Sequence, residues 1–175
     1  MAKLYPVKKK LSLKENIQNI LPMMFDELMS YKNNVVTKPL AKNTLHRMRI
    51  TGKPLRYAME AGETAFSKEF SACLEEVKNT VELMGEIHDF DVMIPELISQ
   101  LREIRMFNQT ITEYRTKIST KSLREIIAEQ KQKRSEMYTR LCNKLNEWEA
   151  DNFRITLLNV MGVEPVSTFE TAGGL

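Results

Sequence analysis

The chain has 175 residues, 42% of them hydrophobic and 28% charged, the balance of one well-packed domain with a real core and short for two. No apolar run approaches the ~18 residues of a membrane span, so the sequence predicts no membrane association. The net charge of +3 hides an asymmetry: residues 1–60 hold twelve Lys/Arg against four Asp/Glu, while residues 61–175 hold fourteen against nineteen. The first third of the chain, at +8, therefore favours an anionic partner.

Lys8-Lys9-Lys10 is followed by Leu11-Ser12-Leu13-Lys14-Glu15-Asn16, which is not the apolar core of a secretory signal. Two cysteines, Cys73 and Cys142, fall inside helical patterns and read as reduced thiols, so the expected compartment is the cytoplasm. Six glycines and six prolines leave few turns, and nothing between Tyr31 and Tyr114 alternates as a strand does. The predicted class is all-α.

Four helical segments follow in order. The first runs from about Ser12 to Asn33. Ser12 and Glu15 form a capping box, Ile17, Ile20, Leu21, Met24, Phe25 and Leu28 supply the stripe, and Pro22 predicts a kink. The second, opened near Pro39, runs from about Lys38 to Ala61 and stops at Gly62. The third runs from Thr64 or Ala65 to Met106 or Phe107 with two heptad registers, Phe70, Val77, Met84, Asp91, Ile98 and Phe66, Cys73, Thr80, Ile87, Ile94, Leu101. A polar stretch at 108–120 reads as a loop. The fourth segment spans about 120–160, with Leu123, Ile127, Met137, Leu141 and Trp148 on one face. The expectation is one antiparallel four-helix bundle with long helices over 1–160, followed by a flexible tail at 161–175.

The second segment carries the informative pattern. At 100° per residue, with His46 at zero, Lys42, Arg49, Lys53 and Arg56 fall between about 280° and 340°. Leu45, Met48, Leu55 and Met59 flank this row on one side, and Ile50 and Tyr57 on the other. Such a row is expected to line a groove, since like charges at this spacing repel and a purely structural helix gains nothing from them. Pairing with carboxylates of neighbouring helices, or of Glu60 with Arg56, is the alternative. Asp91 takes an inward position and needs a cation, for which Arg49 and Arg56 are the candidates. Arg134 is inward on the fourth segment, with Lys133 beside it, and either joins the groove or pairs with Asp91 or Glu82.

Leu45-His46-Arg47-Met48-Arg49-Ile50-Thr51-Gly52-Lys53-Pro54-Leu55-Arg56 resembles the first motif of the CHAD family, the conserved-histidine α-helical domain. Met84-Gly85-Glu86-Ile87-His88-Asp89-Phe90-Asp91-Val92 is similar to its second. The resemblance implies a helical module that binds inorganic polyphosphate, and it assigns His46, Arg49, Lys53 and Arg56 to the first motif and Asp89 and Asp91 to the second. With Lys42, Lys133, Arg134 and His88 these make the expected polyphosphate-binding set, Asp89 and Asp91 serving as ion-pair partners. Two features depart from the family: Pro54 stands where a basic residue is usual, and His88 where an arginine is. The family commonly has two bundles, so this chain corresponds to half of that arrangement and is expected to pair as a homodimer. CYTH-type triphosphatases and polyphosphate-granule proteins are the further partners implied, with a granule location alongside the cytoplasmic one.

Catalytic constellations are missing from the sequence. There is no phosphate-cradling glycine loop and no nucleophile motif, and two histidines without an HExxH pattern argue against a metal. The sequence predicts neither enzyme activity nor a cofactor. A single-stranded nucleic acid is the competing ligand, although only Tyr57 lies beside the cations as a stacking platform. A structural scaffold with internally paired cations is the third reading.

Overall fold

The computed structural model describes residues 5–39, 42–113 and 116–164. All regular structure among them is helical: α1 (Leu13–Ser30), α2 (Lys32–Thr37), α3 (Lys42–Gly62), α4 (Lys68–Thr110), α5 (Lys121–Ala150) and α6 (Phe153–Met161), with one 3-10 turn at Glu63–Ala65. The all-α expectation holds. None of these helices is long and apolar enough to cross a membrane.

Helix α1 begins as its sequence dictates. The Ser12 hydroxyl accepts from the Glu15 backbone N–H at 3.2 Å, and the Glu15 carboxylate accepts from the Ser12 backbone N–H at 2.7 Å. Hydrogen bonds from the Ser12 side chain and backbone hold the Glu15 carboxyl below its ordinary value. A lowered folded-state value stabilises the fold above the unfolded pKa, and that contribution disappears as pH falls through the folded one. Ser12→Ala removes the cap and should lower stability near neutrality. The gap to wild type, measured as urea midpoints, should narrow as pH drops through the carboxylate range.

Three helices carry a proline and run on through it: α1 at Pro22, α3 at Pro54 and α4 at Pro95. Each ring removes one helical hydrogen bond and frees the carbonyl four residues earlier. For Pro95 that carbonyl belongs to Asp91, and the Lys42 ammonium reaches it at 3.5 Å.

Helix α3 packs against α1 and α4, and α4 packs against α5. The simple expectation of four long helices gives way to a more divided arrangement. The fourth segment is two helices, broken where Asn152 turns left-handed at φ 51°. Asparagine tolerates that conformation better than most side chains. The turn folds α6 back against α1, α4 and α5. Phe153 stacks on Trp148 at 4.9 Å between ring centres, and both rings meet Phe25 of α1. The short α2, also unforeseen, buries Val35, whose carbonyl accepts from the Tyr138 hydroxyl at 2.5 Å. Burial pushes that phenol up to about 12. The expected loop at 108–120 starts later than predicted, because α4 continues to Thr110. The expected tail lies outside the described residues from 165 onward.

The core is built from the predicted stripes. Ile17, Leu21, Phe25 and Leu28 of α1 meet Leu45, Met48, Leu55 and Met59 of α3, and Phe70, Val77, Met84 and Ile87 of α4, all almost fully buried. Burial of each such side chain contributes on the order of 2 kcal/mol. Helix α3 comes close to its neighbours through glycines. A Cβ on Gly52 would lie 2.9 Å from Val81 Cγ2, and one on Gly62 would overlap Ile17 Cδ1.

Candidate functional site

The close contact at Gly52 sets the spacing of α3 and α4, and a groove of about 450 Å³ opens beside it. Arg49, Lys53, Arg56 and Tyr57 line it from α3; Val81, Glu82, Gly85, Glu86 and Asp89 line it from α4. Gly85 is among the lining residues, and a Cβ there would meet only Arg49 Nε, at 3.7 Å. Three of the predicted cations thus share one groove. The opposite wall was not anticipated: Glu82, Glu86 and Asp89 make it acidic, so the groove has one basic side and one acidic side. Their i, i+4, i+7 spacing was readable as a single helix face. Which neighbour that face meets depends on the glycine contact.

The cations differ in how far they are committed. Arg56 lies 3.2 Å from Glu60 and 3.7 Å from Glu82, and its guanidinium sits 5.0 Å from the Tyr57 ring centre. The expected alternative of internal pairing therefore applies to Arg56. Among the described residues neither Arg49 nor Lys53 has a carboxylate within ion-pair distance. Arg49 Nε is buried and has no hydrogen-bond acceptor among the described residues, so its acceptor comes from outside the protein, as water or as a ligand. Ile50 and Tyr57 are exposed at 44% and 53%, so one flank of the basic row faces solvent and the other faces the core.

One turn away, His46 of α3 and His88 of α4 face each other with ring centres 4.9 Å apart, and His46 Nδ1 is buried without a partner. Both were expected in one binding set; their direct ring-to-ring contact across two helices, 42 positions apart, goes beyond that expectation. Among the described residues no cluster of three or more His, Cys, Asp or Glu is placed to hold a metal ion. Burial raises the thiols of Cys73 and Cys142, which keeps both protonated and poorly nucleophilic at neutral pH.

The remaining predicted residues lie elsewhere. Asp91 pairs with neither Arg49 nor Arg56, because it leaves α4 toward α5 and the start of α3. Its carboxylate, 7% exposed, meets Arg134 at 3.1 Å and 3.4 Å and the Lys42 ammonium at 3.4 Å. Arg134 also donates to the Pro39 carbonyl at 3.3 Å and lies over the Tyr138 ring at 4.8 Å. Lys42 and Arg134 are thus held in an internal pin rather than in the groove. Lys133 pairs at 2.6 Å with Glu129, one turn back on the exposed side of α5. Asp89, expected in an ion pair, makes none among the described residues and lines the groove instead.

A model of the CHAD domain family matches residues 6–98, just over half of the chain. The chain belongs to the CHAD family. No curated protein and no solved structure matches it. The CHAD match spans α1, α3 and the first part of α4, and with them both walls of the groove and the facing histidines. It stops at Ile98, shortly after Asp91.

Proposed function

We propose that this CHAD protein is a non-catalytic module that binds inorganic polyphosphate in the groove between α3 and α4. Supporting this reading above all is Arg49, whose buried Nε lacks an acceptor at the edge of an open groove, beside the uncommitted Lys53. Arginine and lysine bind phosphate oxygens by charge-assisted hydrogen bonds, arginine often in bidentate fashion. Arg56 joins them by exchanging Glu82 for phosphate, and His46 donates from one turn away. Nucleic acid fits less well: Tyr57 is the one aromatic ring lining the groove, and Arg56 already sits over it. A purely structural bundle is the second reading, favoured by the pairing of Arg56 with Glu60 and Glu82.

Calorimetric titration distinguishes these. Long-chain polyphosphate should bind the intact protein with an affinity that falls steeply with salt, while single-stranded RNA at equal phosphate concentration binds weakly. Arg49→Ala/Arg56→Ala should weaken polyphosphate binding about 100-fold, two charged contacts each contributing roughly 1.5 kcal/mol. Equal binding of both polymers would transfer the reading to nucleic acid, and binding of neither would leave the structural one.

A further inference from the structure

The pin at Asp91 marks where α3 begins alongside α4. Beyond it, residues 92–110 of α4 continue for about 28 Å, accompanied by residues 121–133 of α5 for about 20 Å, as a two-helix arm. Ile94, Leu101 and Ile127 are buried within the arm, but they stand apart from the main core cluster. The side chain of Asn108 closes the far end, accepting from the Ile118 N–H and donating to its carbonyl, both at 2.8 Å.

The arm carries a second apolar seam that is left partly exposed among the described residues. On α4, Met93, Leu97, Gln100, Ile104 and Phe107 recur at alternating steps of four and three, the spacing of a helix-packing seam, with no charge among them. On α5, Leu123, Ile126 and Gln130 repeat the pattern. With α4 and α5 antiparallel and in contact through Ile94, Leu101 and Ile127, both seams project to the same side of the hairpin. Met93 is 37% exposed, Ile126 45% and Phe107 54%, while Leu97, Ile104 and Leu123 are half-buried.

We infer that this face is a homodimer interface, covered by the same face of a second copy. The face is two helices wide, about 20 Å, and a single amphipathic helix of ~10 Å diameter covers only half of it. A second arm has the matching width and length. Packed face to face about a twofold axis, the two arms make a four-helix unit in which both seams are satisfied by copies of themselves. The area removed from water is roughly 1,000 Å² in total, below the size of standard stable interfaces, so the dimer is weak and dissociates on dilution.

Sedimentation equilibrium on the full chain tests this. The expected mass is twice 20.3 kDa at tens of micromolar, falling toward 20.3 kDa on dilution. Phe107→Glu/Ile126→Glu, at two exposed positions, should give a monomer with unchanged helical circular dichroism. Met106→Glu, on another face of α4, should leave the dimer intact. Should the double variant lose helicity, Met93→Lys decides the same question. A wild-type monomer throughout, or a dimer that survives charges on this face, overturns the inference.

Discussion

Replacing Asp91 with alanine should destabilise the fold by about 3 kcal/mol, the low end of what removing one partner of a buried ion pair costs. Three consequences follow from losing its carboxylate. Arg134, whose side chain is only 13% exposed, is left with the Pro39 carbonyl as its remaining polar contact. Lys42 loses its ion pair with Asp91, although at 48% exposure it can turn to water, which is why the higher end of the range is not expected. The connections among α3, α4 and α5 weaken at one level. Asp91→Asn should cost nearly as much, because the missing quantity is charge rather than volume. In a cycle with Arg134→Leu the coupling should reach about 2 kcal/mol. Denaturant unfolding followed by Trp148, the single tryptophan and a core residue, reads all of these. A loss below about 1 kcal/mol, the scale of a surface pair, would show that the pin does not hold the three helices.

The second large effect is expected at Gly52. Valine there introduces a Cβ 2.9 Å from Val81 Cγ2, 3.4 Å from Met84 Cε and 3.5 Å from Leu28 Cδ1, with two methyl groups beyond it. Val81 is β-branched and stiff, so it cannot swing aside as a methionine would. The helices must separate, at a cost of about 3 kcal/mol, the upper part of the range for overpacked cores. Gly52→Ala is the informative contrast. The gain of about 1 kcal/mol in helix propensity offsets a small displacement of Val81, leaving stability within about 1 kcal/mol of wild type. Because Arg49, Lys53 and Arg56 flank Gly52, the valine variant should also weaken polyphosphate binding under conditions where it remains folded. Circular dichroism melts and the same calorimetric titration check both. A valine variant as stable as wild type would mean that α3 and α4 do not depend on this contact for their spacing.

The parts of the fold that sequence reveals are those fixed by neighbours along one helix. The Ser12–Glu15 box is local, and it places the start of α1 to the residue. The heptads of α4 are local too, and they identify Phe70, Val77, Met84 and Ile87 as core. Asp91 was legible as an inward carboxylate for the same reason. Arg134, 43 residues away, was one of the partners its inward position allowed; Lys42 was not, since it is supplied by the start of another helix. The break at Asn152 was hidden because apolar spacing continues through it, and only a backbone turn shows that α6 reverses. The cation row on α3 was visible as a stripe. Its acidic counterpart became part of the same groove only through the meeting of two helices at a glycine.

The pin has one more consequence. Because Asp91, Arg134 and Lys42 fix α3, α4 and α5 at a single level, whatever lies beyond that level can change length independently of what lies before it. Seven residues removed from α4 and seven from α5 past the pin would shorten the arm by about 10 Å and restore the register of its seams. The groove and the facing histidines would not move. The protein is in this sense a fixed head on an adjustable stem, whose reach is set by counting heptads.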